Sequence, residues 1–136
     1  MSLLRSCFLQ IVTSADGEES NFSTEAEMEL LPRSAVLRYR HGEGDVVLRI
    51  EERAVAQERG GDYLLRLNFS EGEALPGVIG LAGAGGSVET KTHRLGCSVG
   101  KDSVLLSMRY TLRFDRGEQE MKLRLFARGK NHPEEK

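Results

Sequence analysis

The feature that most constrains this chain is an alternation of apolar and polar residues that runs almost from end to end. Between residues 21 and 30, for example, Phe22, Ala26, Met28 and Leu30 alternate with polar or acidic neighbours. A period of two residues is typical of a β-strand with one buried face and one wet face. No segment shows a convincing helical repeat, so the sequence predicts an all-β protein.

Short turn sequences divide the alternating segments into hairpins. Glycine and aspartate at such positions permit the backbone conformations that tight turns need. Between the third and the last hairpin, residues 70–86 contain Pro76 and six glycines, which predict a loop with at most one short strand. The predicted hairpin turns contain Asp16-Gly17, His41-Gly42-Glu43-Gly44, Gly60-Gly61 and Arg116-Gly117.

About ten strand segments in sequence order favour an antiparallel meander. Closing the sheet into an up-and-down barrel of about 8–10 strands removes its exposed edges, so we favour a barrel over a sandwich. We assign residues 1–128 to a single barrel domain and residues 129–136 to a flexible tail. The wet face of residues 21–30 is acidic and that of the last hairpin is basic, so we expect these two segments to lie close together.

Charge and cysteine content narrow the partners and the compartment. The chain has 19 Lys and Arg against 21 Asp and Glu, which argues against binding to a phosphate backbone and hence to nucleic acid. It has no apolar run approaching the ~20 residues that cross a bilayer, and no signal-peptide-like stretch. Cys7 and Cys97 lie far apart and outside any CxxC pair, so we interpret both as reduced thiols. We therefore expect a cytoplasmic protein without membrane contacts.

Three short segments match the sequence patterns of reactive sites but lack the neighbouring elements or residues that those sites need. Residues 96–100 fit the G-x-S-x-G nucleophile elbow, but a strand follows where that motif needs a helix. Lys101 is followed by Asp102, where a phosphate loop needs Ser or Thr. His93 and Cys97 supply two ligands, whereas zinc takes three or four. We therefore assign no catalytic residue, metal or cofactor, and favour a non-enzymatic protein.

The inward positions of the predicted strands carry several polar residues among the apolar ones. Buried polar groups need hydrogen-bond partners, and a ligand can supply them. In that case Arg59 would neutralise an anionic group, while Thr90 and Thr92 would donate hydrogen bonds to it. Tyr39 and Tyr110 would pack against an apolar ligand body. In the alternative interpretation Arg59 reaches water, the threonines bond across the barrel, and the tyrosine hydroxyls lie at the rim.

Several short segments resemble a known family. These segments are Leu37-Arg38-Tyr39-Arg40-His41, Arg59-Gly60, residues 86–92 and Tyr110-Thr111-Leu112. Together they resemble the bacterial YwiB-like β-barrel family, which is similar in architecture to the calycins. The resemblance implies a calycin-like barrel and no particular activity, since the family has none established.

Two functions of different classes follow from these observations. In the first, the barrel binds a small lipophilic or anionic molecule. In the second, a barrel filled by side chains serves as a protein-interaction or assembly module, with a protein partner or a second copy of the chain. The second function requires an exposed apolar patch, which we expect around Leu75, Val78, Ile79 and Leu81.

Overall fold

A computed structural model describes residues 3–81, 84–115 and 117–130, and these residues form a closed barrel of antiparallel strands. Each strand pairs with the strands before and after it in sequence, and β1 pairs with β10 to close the ring. The predicted meander and up-and-down barrel are confirmed. The ten strands are β1 Leu3–Ala15, β2 Glu18–Leu31, β3 Ser34–His41, β4 Gly44–Ile50, β5 Ala54–Gly60, β6 Leu64–Ser70, β7 Ala74–Leu81, β8 Ala84–Val99, β9 Ser103–Phe114 and β10 Gly117–Gly129.

The β1–β2 turn shows why glycine and aspartate stand where the chain reverses. Asp16 and Gly17 both have positive φ, at 50° and 91°, a conformation that most side chains avoid. The Asp16 N–H donates to the carbonyl of Glu120 at 2.8 Å, and Asp16 Oδ1 accepts from the Glu120 N–H at 2.9 Å. The turn therefore ties β1 to β10 at one end of the barrel.

The prediction of a loop over residues 70–86 is wrong, because most of this segment forms strand. β7 pairs with β8 along its whole length, but with β6 only from Leu64 to Arg66. Pro76 has no N–H for the ladder, and Asn68 Nδ2 donates to its carbonyl at 3.3 Å. Neighbours on both sides of β7 thus impose an extended backbone on a segment with weak strand propensity.

A register shift between Thr92 and Arg94 changes the phase of β8. Before it, Thr90 and Thr92 are buried in the barrel; after it, Leu95 and Cys97 pack against the core. Because the shift adds one residue, His93 stays on the outer wall. In a regular strand, residues four apart such as His93 and Cys97 would lie on the same face of the sheet. The register shift places them on opposite faces instead.

The acidic strand β2 lies beside β1, which lies beside β10. The expected closeness of β2 to the last hairpin is confirmed, although one strand separates them. Lys130 Nζ spans that strand and lies 2.7 Å from Glu25 Oε1. Gly129 still belongs to β10, and the Lys130 N–H donates to the Ser6 carbonyl at 3.1 Å. Residues 131–136 of the predicted tail lie outside the described residues.

The two ends of the barrel interior differ in packing. At the end bounded by residues 32–33, 51–53 and 100–102, which we call the packed end, the interior is filled. Its fully buried side chains include Cys7, Met28, Leu37, Ile50, Phe69, Met108 and Leu125. The opposite end, which we call the mouth, is bounded by residues 16–17, 42–43 and 61–63. No helix among the described residues has the length and apolar character to cross a membrane.

We predict that Gly77→Ala destabilises the barrel by about 1–3 kcal/mol, since overpacking forces neighbouring groups to move. A methyl group at Gly77 would lie 2.4 Å from the Arg66 carbonyl oxygen, which is fixed backbone. Gly96→Ala is the matched control, because a methyl group there meets nothing within 4 Å. Urea unfolding measures both free energies, and equal stability of the two variants would contradict the tight β6–β7 contact.

Candidate functional site

A cavity of about 460 Å³ occupies the mouth half of the barrel interior. Its walls are mainly apolar, with Val46, Leu67, Val88, Leu112 and Leu123 among them. Polar side chains lie among these residues, mostly towards the mouth. They are Thr13, Ser20, Asn21, Tyr39, His41, Gln57, Arg59, Tyr63 and Tyr110. An apolar chamber with a few convergent polar groups is the usual form of a small-molecule site.

Arg59 is the charged residue of the cavity wall, and its guanidinium is held from several sides. Its side chain is 9% exposed, and Nη2 donates to the His41 carbonyl at 2.9 Å. Nη2 also donates to both Asp62 carboxylate oxygens at 3.1 Å, and Nε donates to Oδ1 at 3.3 Å. Nη1 has no hydrogen-bond partner among the described residues. The orientation of the guanidinium is thus fixed while one of its nitrogens keeps its donors free.

Gly44 and Tyr63 also contact the Arg59 guanidinium. We call Arg59, Asp62, Tyr63 and Gly44, with the His41 carbonyl, the arginine clamp. The Arg59 Cζ lies 4.4 Å from the centroid of the Tyr63 ring, a distance at which a cation is attracted to an aromatic face. On the other side, a methyl group at Gly44 would lie 2.4 Å from the same Cζ. Only glycine at residue 44 therefore leaves room for the guanidinium in this position.

Asp62 neutralises most of the charge that Arg59 brings into the wall. Desolvation opposes ionisation of Asp62, but hydrogen bonds from Arg59 and from the Tyr63 N–H, together with the charge of Arg59, outweigh it. The pKa of Asp62 consequently lies below its usual value, and the carboxylate is ionised at neutral pH. Arg59 thus lines the cavity as a paired residue with little net charge.

Tyr39 and Tyr110 place phenol groups in the cavity wall. Burial raises the pKa of each tyrosine to about 12, with the charge of Arg59 acting in the opposite direction on Tyr39. Both phenols are therefore neutral at physiological pH. The Tyr110 ring makes an edge contact with Phe69 at a centroid distance of 4.7 Å, which joins the cavity floor to the packed end.

An aromatic pair lines the mouth. The rings of Phe22 and His41 are stacked at a centroid distance of 3.9 Å, and Tyr39 lies 6.0 Å from Phe22. His41 also supplies the carbonyl that accepts from Arg59. The mouth thus has a rigid, largely apolar rim beside the clamp.

Thr90 and Thr92 are fully buried on β8, but they are not among the residues that line the cavity. Neither hydroxyl has a hydrogen-bond partner in the described part of the chain. The alternative interpretation, in which the threonine hydroxyls form hydrogen bonds across the barrel, is therefore not supported within the described residues. A buried hydroxyl without a partner costs about 1–3 kcal/mol.

The structure brings three of the five predicted ligand-binding residues to one cavity. Tyr39, Arg59 and Tyr110 line it, whereas Thr90 and Thr92 are buried in the barrel interior without lining it. Sequence reasoning missed Gly44, Asp62 and Tyr63, which hold the guanidinium. Two features of the sequence could have indicated these residues: the glycine at residue 44, next to the β3–β4 turn, and the Arg-x-x-Asp spacing of Arg59 and Asp62. Neither indicates that two hairpin turns meet at one point.

The motifs set aside in the sequence lie in ordinary strands and turns. Residues 96–99 belong to β8, and the Gly100 N–H donates to Ser103 O in the turn before β9. Burial raises the pKa of the Cys97 thiol, whose Sγ lies 3.3 Å from the Glu51 carbonyl. No group of three or more His, Cys, Asp or Glu suited to a metal ion occurs within the described ranges.

His93, Thr111 and Glu120 form a hydrogen-bonded cluster on the outer wall. These residue types occur in acid–base relays, but here the protons are not placed as a relay requires. The Thr111 hydroxyl donates to Glu120 Oε2 at 2.9 Å, and His93 Nε2 lies 2.7 Å from Thr111 Oγ1. A hydroxyl has one proton, so with that proton on the Glu120 bond His93 must be the donor. His93 in this arrangement does not accept the Thr111 proton, and we assign the cluster a structural role.

These features define a class of protein: a ten-stranded up-and-down β-barrel, packed at one end and hollow at the other. The solved structure of YwiB from Bacillus subtilis has this fold, with a TM-score of 0.83, 15% sequence identity and 94% coverage of both chains. The resemblance expected from the sequence is therefore confirmed for the fold. No protein-family model matches the chain, and no curated protein matches it.

We predict that Thr90→Val and Thr92→Val each raise the free energy of unfolding by about 1 kcal/mol, because each removes an unpaired buried hydroxyl. Thr111→Val is the control, since that hydroxyl has two partners and its loss should destabilise the barrel. Chemical denaturation measures all three. A loss of stability in Thr90→Val or Thr92→Val would mean that the hydroxyl has a partner, such as a buried water.

We also predict that stability falls as the pH rises from about 10 to about 12. The unfolded chain releases the tyrosine protons near pH ~10, whereas burial keeps Tyr39 and Tyr110 protonated to about pH 12 in the folded barrel. The unfolded state therefore binds fewer protons in this window, and the free energy of unfolding decreases with pH. Tyr110→Phe should show a shallower decrease in urea unfolding; an unchanged slope would contradict the burial of that phenol.

Proposed function

We propose that this protein binds a small, mostly apolar molecule in the mouth half of the barrel and receives its single polar group at Arg59. The observation that carries the proposal is the hollow mouth half beside a fully packed opposite half. Small-molecule sites occupy ~300–1,000 Å³, and the cavity has about 460 Å³. A barrel that served only as a scaffold would have no reason to leave one half unfilled, because empty apolar space costs stability.

The unpaired polar groups of the cavity support a ligand with one hydrogen-bonding end. Besides Arg59 Nη1, the side chain of Gln57 and the hydroxyls of Tyr39 and Tyr110 have no hydrogen-bond partner among the described residues. Gln57 and Arg59 follow one another on the inner face of β5. A ligand acceptor placed near them would satisfy donors that the protein leaves free.

The clamp further limits the chemistry of that polar end. Because Asp62 already pairs with the guanidinium, a second carboxylate would gain a hydrogen bond from Nη1 but would also meet the charge of Asp62. A carboxylate and a neutral hydroxyl on the same apolar body should therefore bind with similar affinity. This comparison separates recognition by hydrogen bonding from recognition by charge.

Decanoate and decanol are suitable probes, since they share an apolar chain and differ in the charge of the polar end. Titration calorimetry on the unmodified protein should detect both, with affinities within about tenfold of each other. Asp62→Asn should strengthen decanoate binding by about tenfold, because it removes the competing carboxylate, and should leave decanol unchanged. Arg59→Met keeps the length of the side chain and should weaken both probes.

A cavity-filling variant provides the second control. Val46→Phe places a larger side chain in the cavity wall and should abolish binding of both probes while the barrel stays folded, as judged by circular dichroism. Failure of the unmodified protein to bind either probe would count against the proposed function. Equal binding by the Val46→Phe variant would show that the probes lie elsewhere.

A further inference from the structure

The outer wall of β1, β10 and β9 carries apolar side chains where a solvated strand face would carry polar ones. Phe8 is 57% exposed, Leu105 51% and Phe126 40%. Phe126 is a register partner of Leu105 on one side and of Gln10 on the other, so these side chains form one band. A groove of about 600 Å³ runs beside Phe126 and Leu105 over the small residues Gly96, Ser98 and Ser107. We call this area the outer band.

The outer band differs from the apolar patch expected around the β7 segment. Val78 and Ile79 are exposed, at 43% and 36%, but Ile79 also lines the cavity mouth and Leu75 is only partly exposed. The side chain of Leu81 lies outside the described residues. Ile79 therefore belongs with the cavity, whereas Val78 is exposed without lining it. The outer band is separated from the cavity by the barrel wall.

Charges of opposite sign lie on the two sides of β1, the strand of the outer band that carries Phe8. Glu25, Glu27 and Glu29 form an acidic row on β2, next to β1. Arg124 and Arg128 on β10 lie on the other side of β1. Phe8 is the register partner of both Glu25 and Arg128, so an acid and a base lie about 10 Å apart at the same level of the band.

The basic side has more cations than its own chain neutralises. Arg94, Arg109 and Lys122 are successive register partners across β8, β9 and β10. Like charges placed directly opposite one another destabilise a sheet. None of these three, nor Arg124 or Arg128, has a carboxylate partner within 4.0 Å in the described part of the chain. A negatively charged partner would relieve this repulsion.

A two-fold axis that lies in the plane of the band and runs along β1 matches these charges. Such an axis keeps the level along β1 and exchanges its two sides, so Glu25 of one copy meets Arg128 of the other, and the reverse contact forms as well. The same operation places Phe8 against its symmetry mate and Phe126 of one copy against Ser23 of the other, since Phe126 and Ser23 are both register partners of Gln10. A formal net charge of −2 offers little repulsion between copies.

We propose that the outer band, with its acidic row and its basic side, is the interface of a two-fold symmetric dimer of this chain. This surface lies outside the barrel, and the proposal stands independently of the cavity. An anionic membrane or a nucleic acid would also meet the cations and the exposed apolar groups, but it would be repelled by the acidic row. A second copy presents an acidic row to the basic side, and Glu25, whose carboxylate Lys130 Nζ already contacts within the chain at 2.7 Å, would gain Arg128 of the other copy as a second cation.

Sedimentation velocity from micromolar to near-millimolar concentration tests the dimer. The unmodified protein should associate, and raising the salt concentration should weaken association because ion pairs are screened. Phe126→Asp should weaken it by about tenfold or more. Arg66→Glu on β6, diametrically opposite β1 in the ring of strands, is the matched charge control and should leave association unchanged.

Charge reversal tests the symmetry itself. Glu25→Lys and Arg128→Glu should each be monomeric, since both Glu25–Arg128 contacts across the interface become repulsive. An equimolar mixture of these two variants should form a heterodimer, because both pairs then become attractive. The double variant should associate like the unmodified protein.

Three outcomes would overturn the proposal. The first is an unmodified protein that stays monomeric at near-millimolar concentration in low salt. The second is a dimer that persists in Phe126→Asp, which would place the interface elsewhere. The third is a monomer that sediments with vesicles of anionic phospholipid, which would assign the outer band to a membrane surface.

Discussion

The pairing of β1 with β10 is the interaction on which the rest of this structure depends. It runs from Cys7 and Gly129 to Ala15 and Met121, and it joins the two ends of the described chain into one ring. Hydrogen bonds between Asp16 and Glu120 fix it at the mouth, and the hydrogen bond from the Lys130 N–H to the Ser6 carbonyl fixes it at the packed end. Because successive side chains along a strand point to opposite faces, closure directs them alternately to the barrel interior and to the solvent.

Inside the ring, the volumes of the inward side chains divide the interior into two halves. Large residues such as Met28, Phe69 and Met108 fill the packed end. Towards the mouth the inward residues are held against the wall, and Arg59 is kept beside Gly44 and Tyr63 by Asp62. A charged side chain can remain in so apolar a place because it is paired and hydrogen-bonded. The same contacts fix its orientation towards the space that the other residues leave.

Outside the ring, closure places β2 and β10 on either side of β1. Segments far apart in sequence, one acidic and one basic, thereby come to lie on the two sides of β1 and its exposed Phe8. The cavity and the outer band are independent surfaces, since inward and outward residues alternate along the same strands. The proposed ligand site in the interior and the proposed dimer interface on the exterior therefore do not obstruct one another.

The sequence by itself determined the class of fold and the inward direction of most side chains, because a period of two and turn residues are local properties. It indicated five ligand-binding candidates, of which Tyr39, Arg59 and Tyr110 line the cavity and Thr90 and Thr92 do not. It failed at β7, where pairing on both sides overrides glycine and proline, and at His93, where a register shift reverses the phase of β8. Only the tertiary structure decided that the interior is half hollow, that Asp62 neutralises Arg59, and that the outer band has charged flanks. These properties depend on side-chain positions and volumes in the closed ring, and a local pattern of polar and apolar residues does not specify them.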